Sequence, residues 1–179
     1  VIGATINDPA ISGELARFFA APWAVELMLS RSMRAGTMSA PQEPAMSDQS
    51  VVDQIRAQAA LVVEVGRKQL GVPLGYDEAG VRWLDGYIQR LRHTPGVPHR
   101  DRLIAVFGAY LGECIIRCYG GSWDLVDDNW AVRFDEQNGV FPFSKVAKHI
   151  ANGDEDSVLG FFTFLPKVYK DSIRPPASG

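Results

Sequence analysis

The segment from Leu103 to Cys118 constrains the fold of this chain more than any other. On a helical wheel, Leu103, Phe107, Tyr110, Leu111, Cys114, Ile115 and Cys118 share one broad apolar face. The opposite side is lined by small residues, Ala105, Gly108, Ala109 and Gly112, and charge is confined to a narrow lane of Arg102, Glu113 and Arg117. A helix apolar on both flanks belongs in the middle of a domain. The small side predicts that another backbone approaches closely, which explains two glycines that each cost about 1 kcal/mol in helix propensity.

The flanking sequence has its own periodicities. Ser47 or Asp48 can cap a helix carrying Val52, Ile55, Ala59, Val62, Val63 and Leu70, ended by the stretch from Gly71 to Gly75. Asp77 can cap a second helix with Val81, Leu84, Ile88 and Leu91 at three- and four-residue intervals, broken at Thr94 to Pro98. Asp101 precedes the central helix, and Gly120 and Gly121 stop it.

Beyond the central helix the period changes to two. Trp123 and Leu125 alternate with Asp124, and Trp130, Val132 and Phe134 alternate with Arg133 and Asp135, the signature of half-buried antiparallel strands. A three-residue turn, Asp127 to Asn129, is expected between them. Asn138 and Gly139 turn the chain into a short third strand at Val140 and Phe141, closed by Pro142. Ser144 can cap a helix through Val146, Ala147 and Ile150 to Asn152 and Gly153. The acidic run Asp154 to Asp156, with Ser157, suits the start of a last helix carrying Val158, Leu159, Phe161, Phe162 and Leu165, before Pro166. The predicted fold is α+β: two N-terminal helices, a buried central helix, a three-stranded antiparallel meander and one or two C-terminal helices.

Three regions are expected. Residues 1–45 read as an extension or linker: Glu14 to Arg34 can form one helix with Phe18, Phe19, Trp23, Leu27 and Met28 on a loose apolar face, and a Pro/Ala/Ser stretch follows. The chain opens on Val1, and Met46 would make a natural start for a domain. Residues 46–170 form the single domain, and 171–179 a disordered tail. A tether to a partner or a membrane surface is the other reading of the extension, weakened by its few basic residues.

A net charge of -3 argues against nucleic acid as the main partner. The basic residues between Arg90 and Arg102 surround a Pro/Gly turn and read as a solvated cluster. No stretch approaches the roughly 18 apolar residues of a membrane span. With two cysteines and no signal peptide, a cytoplasmic location is expected.

Four runs occur in a recognisable order: Gly108 to Glu113 (GAYLGE), Gly120 to Trp123 (GGSW), Phe141 to Val146 (FPFSKV) and Asn152 to Ser157 (NGDEDS). The pattern, from about Arg102 to Leu165, resembles small bacterial domains of unknown function in which such a helix leads into a glycine–tryptophan strand. The resemblance implies a bacterial origin and an α+β fold, and brings no reaction with it.

Chemistry-bearing residues are few. Cys114 and Cys118, one turn apart on the apolar stripe, read as core packing rather than a zinc site, which needs more ligands. Glu113 lies four residues before Arg117, so it is either half of a helical ion pair or a partly buried base facing a cleft. His149, with Lys145 and Lys148, sits toward a helix C-terminus. The acidic run from Asp154 lacks the glycine-bearing calcium loop of an EF-hand. No serine-nucleophile or phosphate-binding glycine motif occurs, and neither metal nor cofactor is expected. Trp123 and Trp130 belong to the core if they face the helices, or to a protein-binding patch with Arg133 if they face outward. The leading expectation is a non-enzymatic module that binds another protein, an adaptor or immunity-type partner. The alternative is an enzyme or ligand binder with Glu113 and His149 in a cleft between the central helix and the meander.

Overall fold

The computed structural model describes residues 48–94 and 99–174. The expected N-terminal helix and its linker, most of the Thr94 to Pro98 break and the last five residues lie outside the described residues. Among the described residues five helices and a three-stranded antiparallel sheet follow in the predicted order. They are α1 (Asp48–Gln69), α2 (Glu78–Arg92), α3 (Arg100–Tyr119), β1 (Ser122–Val126), β2 (Asn129–Arg133), β3 (Gly139–Val140), α4 (Pro142–Asn152) and α5 (Val158–Val168). A 3-10 turn, Gly153–Asp156, joins the last two helices.

Helix α3 is the interior rod. Leu103 and the unbroken run from Val106 to Ile115 are buried, with α1 and α4 packed along it. Its small side works as predicted at Gly108, where a Cβ would lie 2.9 Å from the Cα of Phe143, so α4 approaches backbone to backbone. At Gly112 the close neighbour is instead a side chain, the indole of Trp123. The lane read as charged differs too: Glu113 is only 5% exposed.

The sheet has the order β1–β2–β3. Trp123 stands opposite Val132, which stands opposite Val140, and this buried row forms the inner face. The alternation therefore assigns the faces correctly, but the helices cover only one end of the hairpin. At its other end Leu125, opposite Trp130, is exposed and Trp130 is half-buried.

Several element ends differ from expectation. The first hairpin turn has two residues, Asp127 and Asp128, both with positive φ (48° and 60°), as a type I′ turn requires, and Asn129 already pairs with Val126. Helix α4 begins at Pro142 without a side-chain cap; proline suits the first helical position because its missing N–H would have no partner there. Helix α3 likewise begins at Arg100 behind an uncapped His99. Pro166 lies inside α5, near enough to its end that the Tyr169 N–H still closes the last turn onto Leu165. Asp77 caps α2 as expected, its carboxylate accepting the Gly80 N–H at 2.8 Å. Order continues past residue 170: the Arg174 N–H donates to the Tyr119 carbonyl at 3.0 Å, and Asn138 donates to Ser172 at 3.2 Å.

Candidate functional site

Glu113 is built into the floor beneath the sheet. Its Oε1 accepts the Trp123 indole N–H at 2.9 Å, a buried bond that holds the ring against Gly112. Arg117 on the next turn of α3 and Arg56 on α1 approach the carboxylate at 3.7 and 3.9 Å, and both side chains are more than half exposed. The Arg117 guanidinium also lies 3.8 Å from the centre of the Tyr76 ring. Glu113 is thus a joint between α1, α3 and β1. Its bond to Trp123 is the strongest part, since a hydrogen bond to a charged group contributes about 1.5–3 kcal/mol.

His149 is fully buried between other elements. Its Nδ1 faces the Val158 N–H at 3.3 Å and lies 3.7 Å from Asp85 of α2. Its Nε2 is 3.0 Å from the side-chain amide of Gln89, which also reaches Asp154. Burial holds the ring below its ordinary basicity; Asp85 opposes this, while Arg92 and Lys145 reinforce it. His149 does sit in the last turn of its helix as expected, but facing inward and not into solvent.

Glu113 and His149 therefore have separate partners, Trp123, Arg56 and Arg117 on one side, Asp85, Gln89 and Val158 on the other. Open clefts among the described residues stand elsewhere. One of about 580 Å³ lies between α1 and the loop carrying Leu74 and Tyr76, another of about 350 Å³ beside Phe134 and Ser172. Neither is lined by Glu113 or His149. A serine, a carboxylate and an imidazole do meet at Ser157, Asp85 and His149, but the Ser157 hydroxyl donates to Asp85 at 2.6 Å rather than to the ring. Its own oxygen accepts the Gly160 N–H as a helix cap.

The remaining candidates separate in the same way. Trp123 is core, whereas Arg133 lies on the other face of the sheet, 3.5 Å from Asp124. Trp123, Trp130 and Arg133 form no common patch. Cys114 is buried, and Cys118 donates to the Tyr76 carbonyl at 3.5 Å. Burial pushes both thiols up, Cys114 far more, as core packing implies. The acidic run is held by Lys145 and Asn152 at Asp156 and by Gln89 at Asp154. Among the described residues no three His, Cys, Asp or Glu side chains are grouped to hold a metal. Nor, among them, is any helix long and apolar enough to cross a membrane.

The least satisfied surface is the outer side of α5. Phe164 and Val168, one turn apart, are 57% and 52% exposed. Lys167 and Lys170 flank them, also exposed. The inner side of the same helix buries Val158, Phe162 and Leu165. A helix apolar nearly all round is ordinarily covered all round. Sequence reasoning read this helix as inward packing alone and passed over Phe164. The signal was present in its composition, since Val158 to Val168 offers only Thr163 and Lys167 as polar side chains. Asp85, Gln89 and Arg56 carried no comparable signal, being ordinary polar residues of amphipathic helices.

No family model matches the chain, and no curated protein or solved structure matches it either.

Proposed function

We propose that this chain is a non-enzymatic protein-binding module of a small bacterial cytoplasmic protein, an adaptor or immunity-type partner, that docks through the outer face of α5. The exposure of Phe164 and Val168 carries this reading. Aromatic residues such as Phe164 are enriched where proteins meet, and covering the exposed half of each side chain supplies roughly 0.7–1.5 kcal/mol. Lys167 and Lys170 set the chemistry of the occupant: an apolar ridge rimmed by Asp or Glu, which the lysines would orient. The acids and the histidine that would serve catalysis are meanwhile committed to internal bonds.

A photo-crosslinking residue at position 164, introduced in the native host, is expected to trap one discrete protein. That protein, purified, should bind the unmodified chain at least about tenfold more tightly than the Phe164→Ser/Val168→Ser variant, the change corresponding to about 1.4 kcal/mol. Charge reversal at Lys167 and Lys170 should also weaken it. Equal binding by the double variant, or an adduct only with a second copy of this chain, overturns the proposal.

A further inference from the structure

The first turn of a helix presents backbone N–H groups that have no partner within the helix. In α5 three side chains take them, two from other helices and one from its own cap residue. His149 of α4 faces the Val158 N–H at 3.3 Å, Asp85 of α2 accepts the Leu159 N–H at 3.1 Å, and Ser157 accepts that of Gly160 at 3.0 Å. Asp85 also accepts the Ser157 hydroxyl, so one carboxylate oxygen ties the cap residue and the second turn residue to α2. The start of the docking helix is thus fastened by side chains, and one of them is an imidazole.

We propose that His149 is an acid-sensitive latch on α5: protonating its ring releases the first turn of that helix from α2 and α4. This rests on α5 being the docking helix. A neutral imidazole offers one lone pair: with it at Nδ1, facing the Val158 N–H, the ring hydrogen sits on Nε2 toward the Gln89 side-chain amide, and a doubly protonated ring offers none. The cation would set an N–H against the Val158 N–H, next to the positive end of a helix dipole. The charged groups around the ring come from each neighbouring element. Asp85 and Arg92 belong to α2, Lys145 to α4 and Asp154 to the 3-10 turn. The two acids favour the cation and the two bases oppose it, leaving burial to decide. Asp85, 3.7 Å from Nδ1, is the main group favouring the cation, and burial outweighs it.

The direction follows from linkage. The ring is held below its ordinary value of 6.5 in the docked state and regains that value when α5 opens. The latch is therefore fully closed above about pH 6.5 and weakens as pH falls from there through the docked-state value. Over that interval the open state binds up to one proton more than the closed, so the opening equilibrium grows by up to about tenfold per pH unit.

Amide hydrogen exchange of the full chain between pH 7.5 and 5, corrected for intrinsic rates, reads this directly. The first-turn amides of α5 should lose protection as pH falls below 6.5, by up to about tenfold per pH unit, while the buried amides of α3 hold theirs. His149→Asn keeps an acceptor near the Nδ1 position and cannot titrate in this range, so its α5 profile should be flat. A flat profile in the unsubstituted protein, or a persisting slope in His149→Asn, overturns the latch. Should His149→Asn not fold, an NMR titration of the His149 ring decides: a midpoint at or above 6.5 overturns it. Neither measurement involves a partner. A flat profile leaves the docking reading standing, and undiminished binding by Phe164→Ser/Val168→Ser removes the docking reading while leaving the latch.

Discussion

Replacing Gly112 by alanine isolates the packing between α3 and the sheet. In an open helix the change stabilises by roughly 1 kcal/mol through helix propensity. At Gly112 the new methyl would overlap the Trp123 indole, whose Cζ3 stands 3.2 Å from the Cβ position with two ring atoms nearer still. The ring has little room to withdraw, because its N–H is bonded to Glu113 at 2.9 Å and the Phe143 ring packs 5.6 Å away, centre to centre. Overpacking costs about 1–3 kcal/mol, and breaking a bond to a buried carboxylate adds about 1.5–3. Set against the propensity gain, the expected net loss is about 1.5–5 kcal/mol, or roughly 5–20 °C in Tm for a domain of this size. Gly160→Ala is the internal control. That glycine is exposed, its nearest neighbours are Ser157 atoms at 3.6 Å, and a gain of about 0.4–1 kcal/mol is expected. Urea unfolding followed by circular dichroism compares the two. In a Trp123→Phe background the Gly112→Ala penalty should shrink by about 1 kcal/mol or more, since the two sites are in contact. A Gly112→Ala protein as stable as the parent would refute the account of α3 as a rod gripped on its small side.

Glu113→Ala strands the buried Trp123 N–H and should cost about 2–4 kcal/mol. Glu113→Gln, which keeps an acceptor but forfeits the charge assistance of that bond and ion pairs with half-exposed arginines, should cost about 1–2, and equal losses in urea unfolding would contradict this division. Because burial raises both thiols, Cys118 should react slowly with a disulfide reagent at pH 8 and Cys114 only on unfolding. Rapid labelling of both in the native protein would show that the apolar stripe is not closed.

The order and kind of elements could be read directly from local patterns. A segment apolar on both flanks has one low-energy location, and Leu103 to Ile115 occupy it. The period of two set Trp123, Val132 and Val140 on one face, and Asp77, Gly120 and Gly153 marked their helix ends. These are properties of a residue and its near neighbours, so the chain by itself determined them. Ends closed by conformation rather than by a cap, such as Pro142, and turns set by left-handed residues, such as Asp127 and Asp128, were less legible for the same reason.

What only the tertiary structure decided is which polar groups meet and which apolar ones stay uncovered. Gln89 and His149 are 60 residues apart, and Asp85 and Ser157 are 72 apart. A lone acid on an amphipathic helix looks the same whether it faces solvent or a second helix, so periodicity cannot select its partner. It also cannot distinguish Phe162 from Phe164, because both extend an apolar run and only the packing of neighbouring helices, with Tyr119 of α3 against the Phe162 ring, buries the first and leaves the second in water. Periodicity reports the shape of one element's surface; contact depends on the six rigid-body degrees of freedom that place one element against another.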